Sequence, residues 1–383
     1  MRRQIPVLSR FSFRAVLLIP FFLFSHGLTS FASAGENIKL VEANDSVFAK
    51  NGHLGKKTSS FNPGDMIMEH VVDNHEWHIL EIGHFELKVP LPVILYYNGK
   101  FFIFSSSRFH NGENSYLGFS LPMEGPDKGK ITRIAAVPGD PGVYDFSITK
   151  TVLAIIISAL IMLLVFVSVA KAYTRNRNKA PRGMQSLLEP VILFIRDDIA
   201  KSSIGEKKYE KFMPYLLTIF FFILLNNILG LVPIFPGGAN VTGNIAVTMV
   251  MAVFTFILTT VNGNKHYWVD IVNTPGVPWW LKLPVPLMPV IEIIGIITKP
   301  VVLMIRLFAN MTAGHIIALG FVSLIFIFGA MNVALGYGVS VVSVAFMIFM
   351  NLLELLVAFI QAYVFTLLSA LYFGLAMTEP EHH

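Results

Sequence analysis

Two apolar tracts near the end of the chain, residues 286–330 and 338–377, constrain its fold more than any other feature. Each is far longer than the ~20 residues that suffice to cross a bilayer. A straight helix of about 40 residues reaches roughly 60 Å, about twice the hydrocarbon thickness. Standing upright, it would leave half of its apolar length in water. The tracts therefore predict two long helices that lie steeply tilted, bent or broken. Gly295 and Pro300 permit a bend in the first. Between the tracts, Asn332 and Gly336 read as breakers.

The remaining apolar blocks also read as membrane spans. Hydrophobic residues make up 54% of the chain and charged residues 14%, where a soluble domain carries about a quarter charged. Residues 152–170 form an uncharged run between Lys150 and Lys171, long enough for one crossing. Lys171, Arg175, Arg177, Lys179 and Arg182 follow with no acid among them, which places that loop in the cytoplasm. Residues 184–211 mix apolar and charged positions and predict an amphipathic cytoplasmic helix. Residues 212–264 carry no charge and are interrupted at Pro233 to Gly238, so they predict a membrane hairpin. Residues 265–282 read as a polar loop with Trp279 and Trp280 at the interface.

The first residues resemble an export signal. Arg2, Arg3, Arg10 and Arg14 precede a short apolar run at 15–24, and Ala32-Ser33-Ala34 fits a cleavage site. Residues 35–147 are moderately polar and predict a small α+β extramembrane domain on the periplasmic side. Within it, residues 93–97, Asn98-Gly99 and residues 100–105 read as a β-hairpin with a tight turn. His70, His75, His78 and His84 also lie there, but His75-Glu76-Trp77-His78 is not H-E-x-x-H, so they read as surface or packing histidines and no metal is expected. The chain has no cysteine, which excludes disulfides, cysteine-based zinc sites and thiol catalysis.

The fold class expected is thus an all-α polytopic membrane protein of five to six membrane helices with a small N-terminal α+β domain. Its parts are a signal peptide at 1–34, an extramembrane domain at 35–147, a membrane domain at 148–377 and a cytoplasmic tail at 378–383. The implied location is a cell inner membrane, crossed several times.

Ionisable groups in the last tracts are few: Glu292, Lys299, Arg306, His315 and Glu354. A charge at mid-membrane costs at least about 2.5 kcal/mol, so such groups persist where they line water or meet a partner. Helical phase places Glu292 and Arg306 about 40° apart on one face, and His315 about 180° from Arg306. Asn310 neighbours Arg306 one turn on, and Glu354 shares a face with Gln361 seven residues later. On this phasing, Arg306 can take Gln361 as a partner, and His315 can take Glu354. Histidine and a desolvated glutamate can load and unload protons. Arginine cannot, so it acts as a fixed positive charge.

These residues resemble a known family. Arg306-Leu307, Asn310 and Ala313-Gly314 reproduce the R-L-x-x-N-x-x-A-G helix of F-type ATP synthase subunit a. Gln361-Ala362-Tyr363-Val364-Phe365 resembles the family's last helix, and Phe212-Met213-Pro214, Asn226-Asn227 and Gly230-Leu231-Val232-Pro233 its second span. The resemblance covers roughly residues 146–377. It implies a proton-translocating stator subunit with two half-channels, not an enzyme by itself. It implies Arg306 facing a carboxylate of the rotating c-ring with Gln361 beside it. It implies His315 and Glu354 lining a periplasmic half-channel, Glu292 placed toward the cytoplasmic one, and Asn310 one turn beyond the arginine. Many bacterial members carry an acid where His315 stands and a histidine where Glu354 stands, so an acid–imidazole pair is kept. The implied partners are c-ring subunits, the subunit b stator, the rest of the complex, membrane lipid and protons, with no nucleic acid and no cofactor. The long domain before residue 146 departs from the shorter common form.

Three other functions fit less well. A secondary transporter would show an internal repeat, and none is evident. An intramembrane enzyme would need a motif such as H-E-x-x-H or G-x-S-x-G in its spans, and none occurs there. No G-x-x-x-x-G-K-[ST] phosphate loop is present either. A purely structural subunit is separated only by mutation of Arg306.

Overall fold

A computed structural model describes residues 73–82, 85–110, 112, 114–122, 129–134, 142–175, 180–232, 235–272 and 287–378, together with Pro63, Gly64 and Ile67. The expected signal peptide, His70, His84, Trp279, Trp280 and nearly all of the C-terminal tail lie outside these residues.

The N-terminal region is built from short antiparallel strands. β1 (Glu76–Ile82) pairs with β2 (Phe85–Pro90), and β3 (Pro92–Tyr97) pairs with β4 (Lys100–Ser105). β5 (Phe119–Ser120) pairs with β6 (Thr132–Arg133), and β7 (Tyr144–Asp145) joins β3 to complete the order β4-β3-β7. The hairpin expected at 93–105 is present. Asn98 and Gly99 take φ of 47° and 78°, which a two-residue turn matched to strand twist requires. One face of the three-stranded sheet buries Val93, Leu95 and Tyr97 against Phe109, Phe119, Leu121 and Ile131. Among the described residues of this region, the strands are accompanied by a 3-10 turn at Ser106–Phe109, and Pro63, Gly64 and Ile67 are helical.

The rest of the described chain is helical. α1 (Lys150–Arg175) contains the run at 152–170. α2 (Met184–Phe194) continues through a π-helical turn at Ile195–Lys201, where Asp197 accepts from Arg196 and Lys201, each at 2.7 Å. The hydrogen bond from Arg196, joined by that from Lys201, pulls the Asp197 carboxyl down to about 2. α3 (Tyr209–Leu231) is the central helix, buried on nearly every side, and α4 (Ile245–Val261) returns beside it. This is the hairpin expected at 212–264.

Beyond it, the expected polar loop is partly wrong. Lys265–Val272 forms a helix, α5, bent 107° from α4. Its eight residues carry an i,i+4 pair of His266 and Asp270 at 2.7 Å, which supports helix where composition suggested loop.

α6 (Leu287–Met331) and α7 (Val333–Met377) are 45 residues each. At 1.5 Å per residue each runs about 68 Å. α6 passes through Gly295 and Pro300 without a break in helical assignment. α7 begins earlier than its apolar tract. Asn332 caps it, accepting the Ala334 N–H at 2.9 Å. Gly336 is not a breaker. It lies inside α7, where a β-carbon would stand 2.7 Å from the Gly329 Cα of α6. Its missing side chain lets the two helices meet closely at their shared end. Among the described residues four helices are long and apolar enough to cross a membrane, and α4 with α5 makes a fifth if that bent pair is one span. Five to six were expected. α4 alone has 17 residues, about 25 Å, short of the ~30 Å slab.

One core joins these helices: α3 packs against α7, with Phe212 stacked on Phe373 at 4.7 Å. The strand region is bolted to the same body. Asp73 accepts the Thr151 N–H at 3.0 Å and the Thr149 hydroxyl at 2.7 Å, and the Lys150 N–H donates to Asn74 O at 2.9 Å. Trp77 is buried in the same hydrophobic core as the helices and meets Phe235 edge-on at 5.1 Å. His75 is buried and pairs with Asp145 at 3.0 Å.

Candidate functional site

α6 has one buried stripe, Leu303, Leu307 and Met311, spaced four apart. Those side chains pack into the core, so the residues between them turn outward. Arg306 and Asn310 are both exposed, among exposed Val302, Ile305, Ile316 and Ile317. Among the described residues no carboxylate pairs with Arg306.

His315 lies on the other side of α6. Its Nε2 is buried without a hydrogen-bond partner among the described residues and faces Gly230 of α3, 3.5 Å from where a β-carbon there would be. Glu354 of α7 is buried against the neighbouring Gly314. A β-carbon at Gly314 would overlap Glu354 Oε1 and stand 2.9 Å from its Cδ. The glycine of R-L-x-x-N-x-x-A-G thus has a steric reason: it makes room for a carboxylate from the facing helix. Glu354 Oε1 also lacks a hydrogen-bond partner among the described residues. Gln361 is buried on the same face of α7 as Glu354, as the seven-residue spacing predicts.

The side-chain pairings anticipated from helical phase do not form as hydrogen bonds. Neither Arg306 with Gln361 nor His315 with Glu354 is joined. The reason is rotational. Leu303 and Leu307 take the inward positions on α6 and leave Arg306 pointing out, while Gln361 points in.

Glu292 is half-buried near the start of α6, within electrostatic reach of Tyr267 on α5. One turn or two further on, Lys299 Nζ lies 5.8 Å from the centre of the Tyr372 ring. A small, mostly apolar cleft there is lined by Phe256, Ile296, Pro300 and Leu375, with Thr259, Tyr267, Lys299 and Tyr372 supplying its polar groups. Along α6, Glu292 is fourteen residues before Arg306 and His315 nine after it. That places them about 21 Å and about 14 Å to either side.

Several polar residues around His315 were not expected as site residues, Asn226-Asn227 having entered only as part of a family motif. Asn226 and Asn227 on α3, and Asn240 and Thr242 in the loop after it, are all buried. Thr242 donates to Asn227 Oδ1 at 2.5 Å, and Asn227 Nδ2 donates to Ala358 O of α7 at 3.4 Å. Asn226 Oδ1 and Asn240 Nδ2 have no protein partner among the described residues. The signal available was the pair of adjacent asparagines inside an otherwise apolar span.

The family described as ATP synthase A chain matches residues 152–374, and a family described only as a domain of unknown function matches residues 66–143. The chain is 39% identical to "ATP synthase subunit a 2" of Prosthecochloris aestuarii, over 97% of this chain and 95% of that protein. It is 45% identical to "ATP synthase subunit a" of Chloroherpeton thalassium over 63% of this chain and 70% of that one. For "ATP synthase subunit a" of Myxococcus xanthus the identity is 42%, over 63% and 77%. An outward arginine on a long apolar helix, a glycine hollowed out for a facing carboxylate, a family match over residues 152–374 and one relative matching almost end to end lead to one assignment: the chain belongs to the ATP synthase subunit a family, the proton-translocating membrane subunits of that complex.

Proposed function

We propose that the exposed face of α6 carrying Arg306 and Asn310 is the surface turned toward the c-ring, and that protons reach and leave the ring through two offset half-channels. The observation that carries this reading is Arg306 itself: a permanent charge on an exposed, otherwise apolar face, with no carboxylate partner among the described residues. A charge in that setting needs an opposite charge from outside the chain or access to water. A ring carboxylate passing α6 supplies the first. Arg306 then favours the ionised form of that carboxylate and blocks a direct leak past itself.

The inlet runs by His315 and Glu354. Buried polar atoms without protein partners are satisfied by water. Four of them cluster here: Asn226 Oδ1, Asn240 Nδ2, His315 Nε2 and Glu354 Oε1. A hydrated thread through these groups delivers protons from the periplasm to the ring. The outlet follows Glu292 and the cleft at Lys299 and Tyr372 on the opposite side of Arg306. Each proton crossing supplies about 2.3 kcal/mol per 100 mV, released as torque on the ring. The basic loop from Lys171 to Arg182 sets the sides: strand region periplasmic, C-terminus cytoplasmic. The chain is then a non-catalytic stator subunit, held by subunit b, in a cell inner membrane.

The test is Arg306→Ala in the assembled complex. Proton-driven ATP synthesis should vanish while the complex still purifies intact. Synthesis retained at the parental rate would overturn the reading.

A further inference from the structure

The three-stranded sheet β4-β3-β7 is apolar on both faces. One face forms the core of the strand region. Residues directly opposite across strands share a face, and the register puts Ile94 against Ile103, and Tyr96 against both Phe101 and Tyr144. Phe146 joins them, since its N–H donates to Ile94 O at 2.8 Å. This second face is open. Ile103 is 71% exposed, Phe101 66%, Tyr144 52% and Phe146 43%. An antiparallel sheet with one buried face usually shows polar side chains on the other. Here four aromatics and two isoleucines stand together, with Tyr96 and Phe101 rings 4.9 Å apart.

The position of the sheet indicates what covers it. β7 runs directly into α1: the Ile148 N–H donates to Pro92 O at 3.1 Å, and the helix begins at Lys150. Phe146 is four residues from that start, at most about 14 Å along an extended chain. The headgroup layer on each side of a bilayer is about 5–8 Å thick, so the lower rim of the face stands at or next to it. Trp77, buried in the hydrophobic core shared with the helices, ties the region to them. Further along α1, Leu160 and Leu164 are also exposed apolar side chains. Tyrosine at a membrane interface keeps its ring apolar and its hydroxyl wet.

We propose that this second sheet face rests on the bilayer leaflet at which α1 begins, and that Phe101, Ile103, Tyr144 and Phe146 form a lipid-binding platform. The occupant is the boundary between headgroups and acyl chains. The argument is independent of the proton path.

The absence of cysteine makes the test direct. Ile103→Cys and, separately, Phe146→Cys are labelled with a nitroxide in the full chain reconstituted into lipid nanodiscs. Lys130→Cys, beside the opposite face of the sheet, is the control. At 103 and 146 the label should collide severalfold more often with oxygen, which concentrates in lipid, and severalfold less often with a water-soluble nickel chelate, than at 130. Nickel accessibility equal to the control at both positions would overturn the proposal. Shielding from both reagents would overturn it too, showing a protein cover.

Discussion

Glu354 Oε1 occupies the space a side chain at Gly314 would fill. Gly314→Ala should therefore press on the carboxylate of the proposed inlet. Overpacking of this kind costs about 1–3 kcal/mol. The variant should assemble yet show a severalfold drop in passive proton flux through the membrane sector. Adding Glu354→Asp, which shortens the acid by one methylene, should recover part of that flux, and no recovery would argue against the steric account. At this scale the sequence was informative where chemistry is scarce. Arg306, His315 and Glu354 stood out because charges in apolar helices are expensive. The asparagines at 226 and 227 entered only as a family motif and Asn240 not at all, because a neutral amide costs less to bury than a charge and its orphaned atoms are visible only after folding. The expected bonds of Arg306 to Gln361 and of His315 to Glu354 failed because phase along one helix fixes a face, not what the facing helix presents.

α6 and α7 meet closely where Gly329 faces Gly336. Gly336→Leu should wedge this end apart. The thermal midpoint of the detergent-solubilised complex should fall, while Gly338→Leu, which meets open space, should leave it nearly unchanged. Asn332→Ala should cost about 1 kcal/mol through the lost cap. Long apolar runs made α1, α3, α6 and α7 readable in advance, because twenty or more uncharged residues have few alternatives to helix. Ends were less readable. A glycine after an asparagine looks like a stop, yet Asn332 starts a helix and Gly336 serves contact inside it. α5 was missed because an eight-residue helix with mixed charge has too short a period to show.

At the scale of the whole molecule, the strand region and the membrane body are joined by polar bonds as well as by Trp77. Burial raises the Asp145 carboxyl, but its bonds to His75 and Ser147 outweigh that and hold it below its ordinary 3.8. A carboxylate depressed in this way stabilises the folded state above about pH 3.8 and loses that contribution as pH falls through the lower folded value. Protease sensitivity of the strand region, measured against pH, should rise in that acid range. Asp145→Asn should raise it already at neutral pH and flatten the dependence. The hairpin at 93–105 was legible from Asn98-Gly99, but nothing in the sequence told which partner Asp73 or Trp77 would find, since those contacts span about seventy to more than a hundred and fifty residues.

Asp73 supplies the acceptor for the Thr151 amide in the first turn of a helix that starts seventy-seven residues later at Lys150. The two modules recognised by separate family matches therefore do not part cleanly at residue 143. A deletion of the strand region that starts before residue 73 removes the cap of the first crossing helix, and a graft of the bare membrane module onto another leader inherits a frayed beginning. Any shortened version of this subunit has to bring its own acidic cap for α1, or keep the stretch around Asp73 and Trp77 as part of the membrane domain.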